Sequence, residues 1–343
     1  MSSDAGQVRS RLGARLRTQL RDRGVGGIAA ALGATRDVCA VWFPESLRSE
    51  PEFLAYSITK TFMAASALIL QQESRLSLDD SLARWFPEID RSARITVRLL
   101  LNHTAGLPDY GGLRAYHEAV RRWPGKPWSF DEFADHTWRR GLLFEPGTGW
   151  SYSNPGYMLV KSILERVADE SYSDLVRNRI CGVLELERTY VPESIGDLAR
   201  LAPATSTLLS PTGEPRDVRF LYHPGWVSHG VVASTASEIA IFLHALLTGQ
   251  LVGEQAVREL TVLVPVPNAP RRWRRPSYGL GVMADPDSPF GPVIGHNGEG
   301  PGYNTSVFHA QRFRAGGATL CAMCGVEDTS LAESLVFDSF ALL

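Results

Sequence analysis

Residues Glu52–Gln72 read EFLAYSITKTFMAASALILQQ and set Ser57 three residues ahead of Lys60, where an apolar run begins. Phe62, Leu68, Leu70 and the alanines between them predict a buried helix starting near Ser57. On a helix, positions i and i+3 share a face, so the hydroxyl and the amine can meet. A serine at a helix N-terminus also lies beside unpaired N–H groups able to stabilise an oxyanion. The plainer reading is a helix start capped by Ser57, with Lys60 snorkelling to solvent. Lysine is scarce here (Lys60, Lys126 and Lys161), and only Lys60 follows a serine at this spacing.

The chain has 343 residues, enough for one large domain or two closely packed lobes. A formal net charge of −2 supplies no field to draw it to nucleic acid or to an anionic membrane. A hydrophobic content of 44% is that of a globular protein with a substantial core. No apolar run approaches the ~20 residues of a membrane span. Near the start, SSDAGQVRSRLGARLRTQLRDRG lacks the apolar h-region of a secretory signal. Val8, Leu12, Leu16 and Leu20 recur every fourth residue and predict an amphipathic helix, capped by Asp4 and ended by Gly24 or Gly26. Asp4 and Asp22 dilute its positive charge, so packing on the core is expected rather than membrane binding. Four cysteines fit a reducing cytoplasm. Cys321 and Cys324 form a lone Cys-x-x-Cys in what reads as a buried strand. There i and i+3 point to opposite faces, so core thiols are expected rather than a metal or redox pair.

GGIAAALGATRDVCAVWF (Gly26–Phe43) predicts two strands around a turn at Gly33–Asp37. Residues 57 to about 205 are mainly helical patterns broken by Pro and Gly loops. SEIAIFLHALLTGQ predicts a helix capped by Ser237 and ended before Gly249. Strand patterns return from Tyr278, Pro292, Asn304 and Gly317, and Ser330–Leu343 reads as a terminal helix. The expected fold class is α/β (α+β). An antiparallel sheet is built from both chain ends and flanked by helices, with an inserted mainly helical lobe. The expected lobes are 1–80 with 205–343, and 81–204, with the active site between them.

Two further motifs follow. FEPGTGWSYSNPGYMLVKSILERV, from Phe144, places Tyr152 and Asn154 in a loop before a helix expected from about Gly156. VIGHNGEGPGY, from Val293, places His296, Asn297 and Gly298 after a strand. Gly298 would let a substrate backbone lie close to that strand. Taken in this order, the three motifs resemble those of the serine β-lactamase and penicillin-binding-protein superfamily. The similarity is to the branch holding class C β-lactamases, D-alanyl-D-alanine carboxypeptidases and β-lactamase-like esterases and transacylases. ITVRLLLNHTAGLPDY (from Ile95) and VSHGVVASTASEIAIF (from Val227) also look like that branch. The resemblance implies a β-lactamase/transpeptidase-like fold. It also implies that Asn154 holds Lys60 and the acyl side of the substrate. The expected oxyanion hole is the backbone N–H of Ser57 and that of Glu299. His296 and Asn297 stand where the commonest family motif has Lys-Thr. A neutral histidine there weakens the case for β-lactams, whose carboxylate wants a fixed cation.

A serine hydroxyl is a poor nucleophile until a neighbour takes its proton. Lys60 is the first candidate base and Tyr152 the second. An adjacent ammonium favours the phenolate, so the two are expected to share one proton. His103, in a turn after a helix, is expected to be structural. The segment RRWRR, Arg271–Arg275, reads as a solvated loop. The tryptophans Trp150, Trp226 and Trp273 are candidates for a second pocket beside the cleft, against the reading that they pack loops.

The expected function is a cytoplasmic acyl-enzyme reaction through Ser57. A small-molecule ester or amide is the donor, and water or an amine or alcohol is the acceptor. No cofactor, metal, nucleic acid or membrane is required. The alternatives are a D-alanyl peptidase or β-lactamase, and a non-catalytic binding protein on the same fold.

Overall fold

A computed structural model describes residues 2–21, 25–32, 38–267, 273–312 and 317–343. The predicted turn at Gly33–Asp37, together with Asp22, Gly24, Arg271 and Arg272, lies outside them.

Among the described residues, eight strands form one antiparallel sheet. Their order is Val38–Phe43, Gly26–Leu32, Ala318–Cys324, Tyr303–Ala310, Val293–Gly300, Met283–Asp285, Ser277–Tyr278 and Val264–Pro265. The N-terminal strand pair joins the C-terminal strands through the register Gly26↔Cys324 to Leu32↔Ala318. The sheet is thus closed by the two ends of the chain, and the helices between them cover it.

Alternation along Ala318–Cys324 builds both layers. Leu320, Ala322 and Cys324 face one core with Leu12, Leu16 and Leu20 of the N-terminal helix Ser2–Leu20. The C-terminal helix Leu331–Phe340 packs on the same side. Cys321 and Met323 face the larger core, which contains Phe242 and Leu243 of the helix Ala236–Leu247. The two thiols therefore lie on opposite faces and both are free. Among the described residues, no helix is long and apolar enough to cross a membrane.

Two boundaries differ from expectation. The helix Ala236–Leu247 is capped by Thr235, whose side chain accepts from the Glu238 N–H, and not by Ser237. Thr235 has the extended backbone an N-cap needs, whereas the Ser237 N–H is taken by the Glu50 carboxylate. The helix expected from Gly156 begins at Asn154, with Ser153 as cap and Pro155 in the first turn. That start fixes Asn154 at the mouth of the helix.

Candidate active site

Ser57 lies in a short turn, Tyr56–Ile58, that leads into the helix Thr59–Gln72. It does not cap that helix: Ile58 holds the cap position and no side chain caps it. Tyr56 has φ 45°, a left-handed conformation that is costly for a bulky residue. It is held there by its hydroxyl, which donates to the Pro301 carbonyl at 2.6 Å across the cleft.

Helical spacing carries Lys60 back beneath Ser57. The amine is fully buried and has three neighbours: Ser57 Oγ at 3.3 Å, Asn154 Oδ1 at 2.7 Å and His229 Nε2 at 3.1 Å. None of the three is a carboxylate. Burial lowers the Lys60 pKa from 10.5 to about 7, against the opposing pull of Asp109. Tyr152 sits over the amine, with Lys60 Nζ 4.9 Å from the centre of its ring. Burial raises its phenol well above the ordinary value, although a hydrogen bond with Ser57 works the other way. The sequence leaves open which member of the pair holds the shared proton, and burial acts on both groups in the same sense. Desolvation disfavours the charged form of each group, so near neutrality Lys60 sheds its proton and Tyr152 keeps its own.

Asn154 is fixed from behind. Its N–H donates to Asp109 Oδ1 at 2.8 Å and its Nδ2 to Asp109 Oδ2 at 3.4 Å. Asp109 also accepts from the Gly111 N–H, closing its own turn. Asp109 and His229 were not singled out from the sequence. Both lie in the family-like stretches ITVRLLLNHTAGLPDY and VSHGVVASTASEIAIF, and the Pro-Asp turn is a further local signal for the first.

His103 is buried, and burial holds it neutral. Its Nδ1 accepts the Ser153 N–H at 3.1 Å and its ring lies 4.3 Å from that of Tyr152. It supports the Tyr152-Ser153-Asn154 loop from below.

The strand Val293–Gly300 forms the opposite wall. It pairs with Met283–Asp285 only as far as Gly295, so the edge beyond is free of sheet partners among the described residues. Its other side forms a hairpin closed by Gly300↔Tyr303. A two-residue hairpin exchanges ladder bonds at its closing pair, and alternation then turns the Glu299 N–H to the free edge, on the cleft side. Glu299 lines the cleft, whereas His296, Asn297 and Gly298 do not. The Asn297 side chain accepts from Ser306 Oγ at 2.7 Å. His296 Nδ1 donates to the Asn297 carbonyl at 2.5 Å, so its Nε2 accepts from the Tyr278 hydroxyl at 2.9 Å. Burial, with the charge of Lys60, lowers His296 to about 3. Gly298 has a different reason from the one expected. A Cβ there would lie 2.2 Å from the Ala55 carbonyl, so the missing side chain admits the nucleophile segment rather than a substrate.

The cleft has a volume of about 470 Å³, with Ser57, Tyr152, Asn154 and His229 on its lining. Its aromatic wall is tyrosine, including Tyr110, Tyr116 and Tyr222. The three tryptophans do not line it. Trp226 is wholly buried behind Tyr116 and Trp128. Trp150 packs on His103 and Tyr278. Trp273 packs on Phe308 and Phe337 in the second core. The backbone N–H groups of Arg274 and Arg275 are bound by the Asp285 carboxylate. Among the described residues, no cluster of His, Cys, Asp or Glu could hold a metal ion.

The chain is similar to known proteins over most of its length. Penicillin-binding protein 4* of Bacillus subtilis is 28% identical over 278 residues, which are 76% of this chain and 58% of that protein. The chain therefore spans a little over half of that relative. A D-aminopeptidase of Gluconobacter oxydans is 30% identical over 140 residues, 40% of this chain and 25% of that protein. Among solved structures, a D-stereospecific amidohydrolase from Streptomyces sp. superposes with a TM-score of 0.79 at 28% identity, covering 96% of this chain and 98% of that one. The D-amino acid amidase of Ochrobactrum anthropi SV3 gives a TM-score of 0.81 at 23% identity, covering 97% and 99%. The beta-lactamase family model matches residues 13–317, and the chain belongs to that family.

Proposed function

We propose that this protein is a serine hydrolase or acyltransferase that cleaves a small-molecule amide or ester through an acyl-Ser57 intermediate. The observation that carries this reading is the buried Lys60 amine, 3.3 Å from Ser57 Oγ and surrounded only by uncharged partners. A lysine that loses its proton near neutrality can act as a base, and a snorkelling lysine cannot.

The reaction runs in two halves. Ser57 Oγ attacks the acyl carbonyl carbon as its proton passes to the Lys60 amine. The carbonyl electron pair moves onto oxygen, between the N–H groups of Ser57 and Glu299. The tetrahedral centre then collapses and the bond to the leaving group breaks. Tyr152 gives its proton to the departing amine or alkoxide and is reprotonated by Lys60. Water, or an amine or alcohol, next attacks the acyl carbonyl and yields its proton to the same pair; the bond from the acyl carbon to Ser57 Oγ breaks, and the pair returns that proton to the serine oxygen.

The cleft lining carries the carboxyl groups Asp109, Glu299 and Glu327 and one exposed guanidinium, Arg121. That balance favours an acyl group bearing a free amine over one bearing a carboxylate. His296 offers a carboxylate nothing, since it is neutral and both its ring nitrogens are engaged. The names of the Streptomyces amidohydrolase and the Gluconobacter D-aminopeptidase point the same way, so D-amino-acid amides and esters are the first donors to try. A cytoplasmic site of action belongs to this reading and is supported by the buried thiols of Cys181, Cys321 and Cys324.

Intact-mass spectrometry with an activated aminoacyl ester tests it. A transient adduct on Ser57, absent in Ser57→Ala, is expected. Turnover undiminished in that variant places the nucleophile elsewhere. Adding amines or alcohols separates the acceptors: exchanged product marks a transferase, and free acid alone marks a hydrolase.

A further inference from the structure

His229 stands 169 residues from Lys60 in sequence and 3.1 Å from its amine in space. It belongs to none of the three motifs. The segment carrying it is pinned on both sides of the nucleophile turn. The Ala55 N–H donates to the Val232 carbonyl at 2.7 Å, and the Val232 N–H donates to Thr59 Oγ1 at 2.8 Å. The Ser228 N–H is held by the Tyr110 hydroxyl at 3.1 Å. Gly230, at φ 81°, makes the reversal that turns the imidazole inward. His229 is 1% exposed, and its Nδ1 is buried without a protein partner. An apolar side chain would fill the same space without an unpaired polar atom, so packing alone gives no reason for a histidine here.

We propose that His229 is a positioning residue which aims the lone pair of the Lys60 amine at Ser57. This rests on Lys60 being the base, as proposed above. A neutral amine has two N–H donors and one lone pair. To take the serine proton, the lone pair must point at Ser57 Oγ, so both N–H groups need other acceptors. Asn154 Oδ1 is one and His229 Nε2 is the second. The assignment requires the tautomer with the proton on Nδ1, because a proton on Nε2 would occupy the lone pair instead.

Neutrality is as important as position. A carboxylate at 3.1 Å would hold Lys60 as the ammonium, and an imidazolium would repel it. Burial, the largest cause, keeps His229 neutral, helped by the charge of Lys161 and, wherever Lys60 is still protonated, by that ammonium. The other titratable groups around the amine are Tyr152 and Tyr157, whose rings face it, Asp109 behind Asn154, and His103 and His296. None of these supplies a second neutral acceptor.

The test measures the rate of Ser57 labelling by a fluorophosphonate against pH, by intact mass, in wild type, His229→Leu, His229→Gln and His229→Glu. Thermal melts establish that each is folded. In the leucine variant the plateau rate is expected to fall about tenfold or more, the scale of a misplaced catalytic group. Its acid limb should move to lower pH, because the ammonium loses an acceptor. Glutamine, a neutral acceptor, should recover most of the plateau with the limb in place. Glutamate should move the limb to higher pH. A folded leucine variant with the wild-type profile overturns the proposal. Equal loss in leucine and glutamine with no movement of the limb also overturns it, since that is what a packing role gives. Failure of the wild type to label at Ser57 would instead overturn the acyl-enzyme reading itself.

Discussion

A Cβ on Gly300 would stand 2.4 Å from the ring of Tyr56, the residue that precedes the nucleophile. The hairpin and the Ser57 turn thus fit only because residue 300 has no side chain. The same ring is tethered by its hydroxyl to Pro301, so strand and turn move as one body. Gly300→Ala should push Tyr56 aside, with Ser57 following. Overpacking of this kind typically costs about 1–3 kcal/mol, seen as a lower melting temperature. Ser57 acylation should fall about tenfold or more. Wild-type labelling kinetics in the alanine variant would show that the turn is not held by this contact.

Activity should titrate with Lys60. The amine accepts the serine proton only when uncharged, so kcat/KM should rise with pH to a plateau, with an apparent pKa near the lowered value of about 7. Stability follows the same linkage. The unfolded lysine holds its proton up to 10.5 and the folded one only to about 7, so the unfolded state binds more protons between them. This contribution to stability therefore grows as pH rises through that window, and is lost as pH falls toward 7. A flat kcat/KM profile from pH 5 to 9 would remove Lys60 as the base.

Tyr152→Phe should lower the acylation rate about a hundredfold or more, the usual worth of a positioned acid or base. Substrate binding should change far less, because the ring and its packing on His103 remain. Stopped-flow acylation separates the two effects. A rate within a few-fold of wild type would leave Lys60 acting alone.

Asp109 should matter through Asn154. Its carboxylate holds both the backbone and the side-chain amide of that residue, which in turn holds Lys60. Asp109→Ala and Asn154→Ala should each slow acylation by about tenfold or more, and the double variant little further. A double-mutant cycle measures this directly. Fully additive losses would mean that Asp109 acts by another route.

Activated aminoacyl esters should be turned over much faster than penicillins. No fixed cation faces the cleft from position 296, where the imidazole is neutral and bonded to Tyr278 and to the Asn297 carbonyl. Comparing initial rates on the two donor types checks this. Penicillin hydrolysis at the ester rate would show that another group receives the carboxylate.

What the sequence determined by itself was local. Helix geometry places residues three apart on one face, so the meeting of Ser57 and Lys60 was legible from their spacing. Tyr152 and Asn154 stand two residues apart at one helix start, and strand alternation placed Cys321 and Cys324 on opposite faces. The two-ended sheet followed from strand patterns at both ends of the chain. The tertiary structure alone decided what lies far apart in sequence. Asp109 reaches Asn154 across 45 residues and His229 reaches Lys60 across 169, and no periodicity records such distances. It also decided the protonation order. Burial is a property of the assembled core, and here it outweighs the pairwise attraction by which an ammonium favours a phenolate. The same limit applies to Gly298 and the tryptophans. A glycine signals close approach without naming what approaches, and an aromatic ring fits a cleft or a core equally well until the layers are stacked.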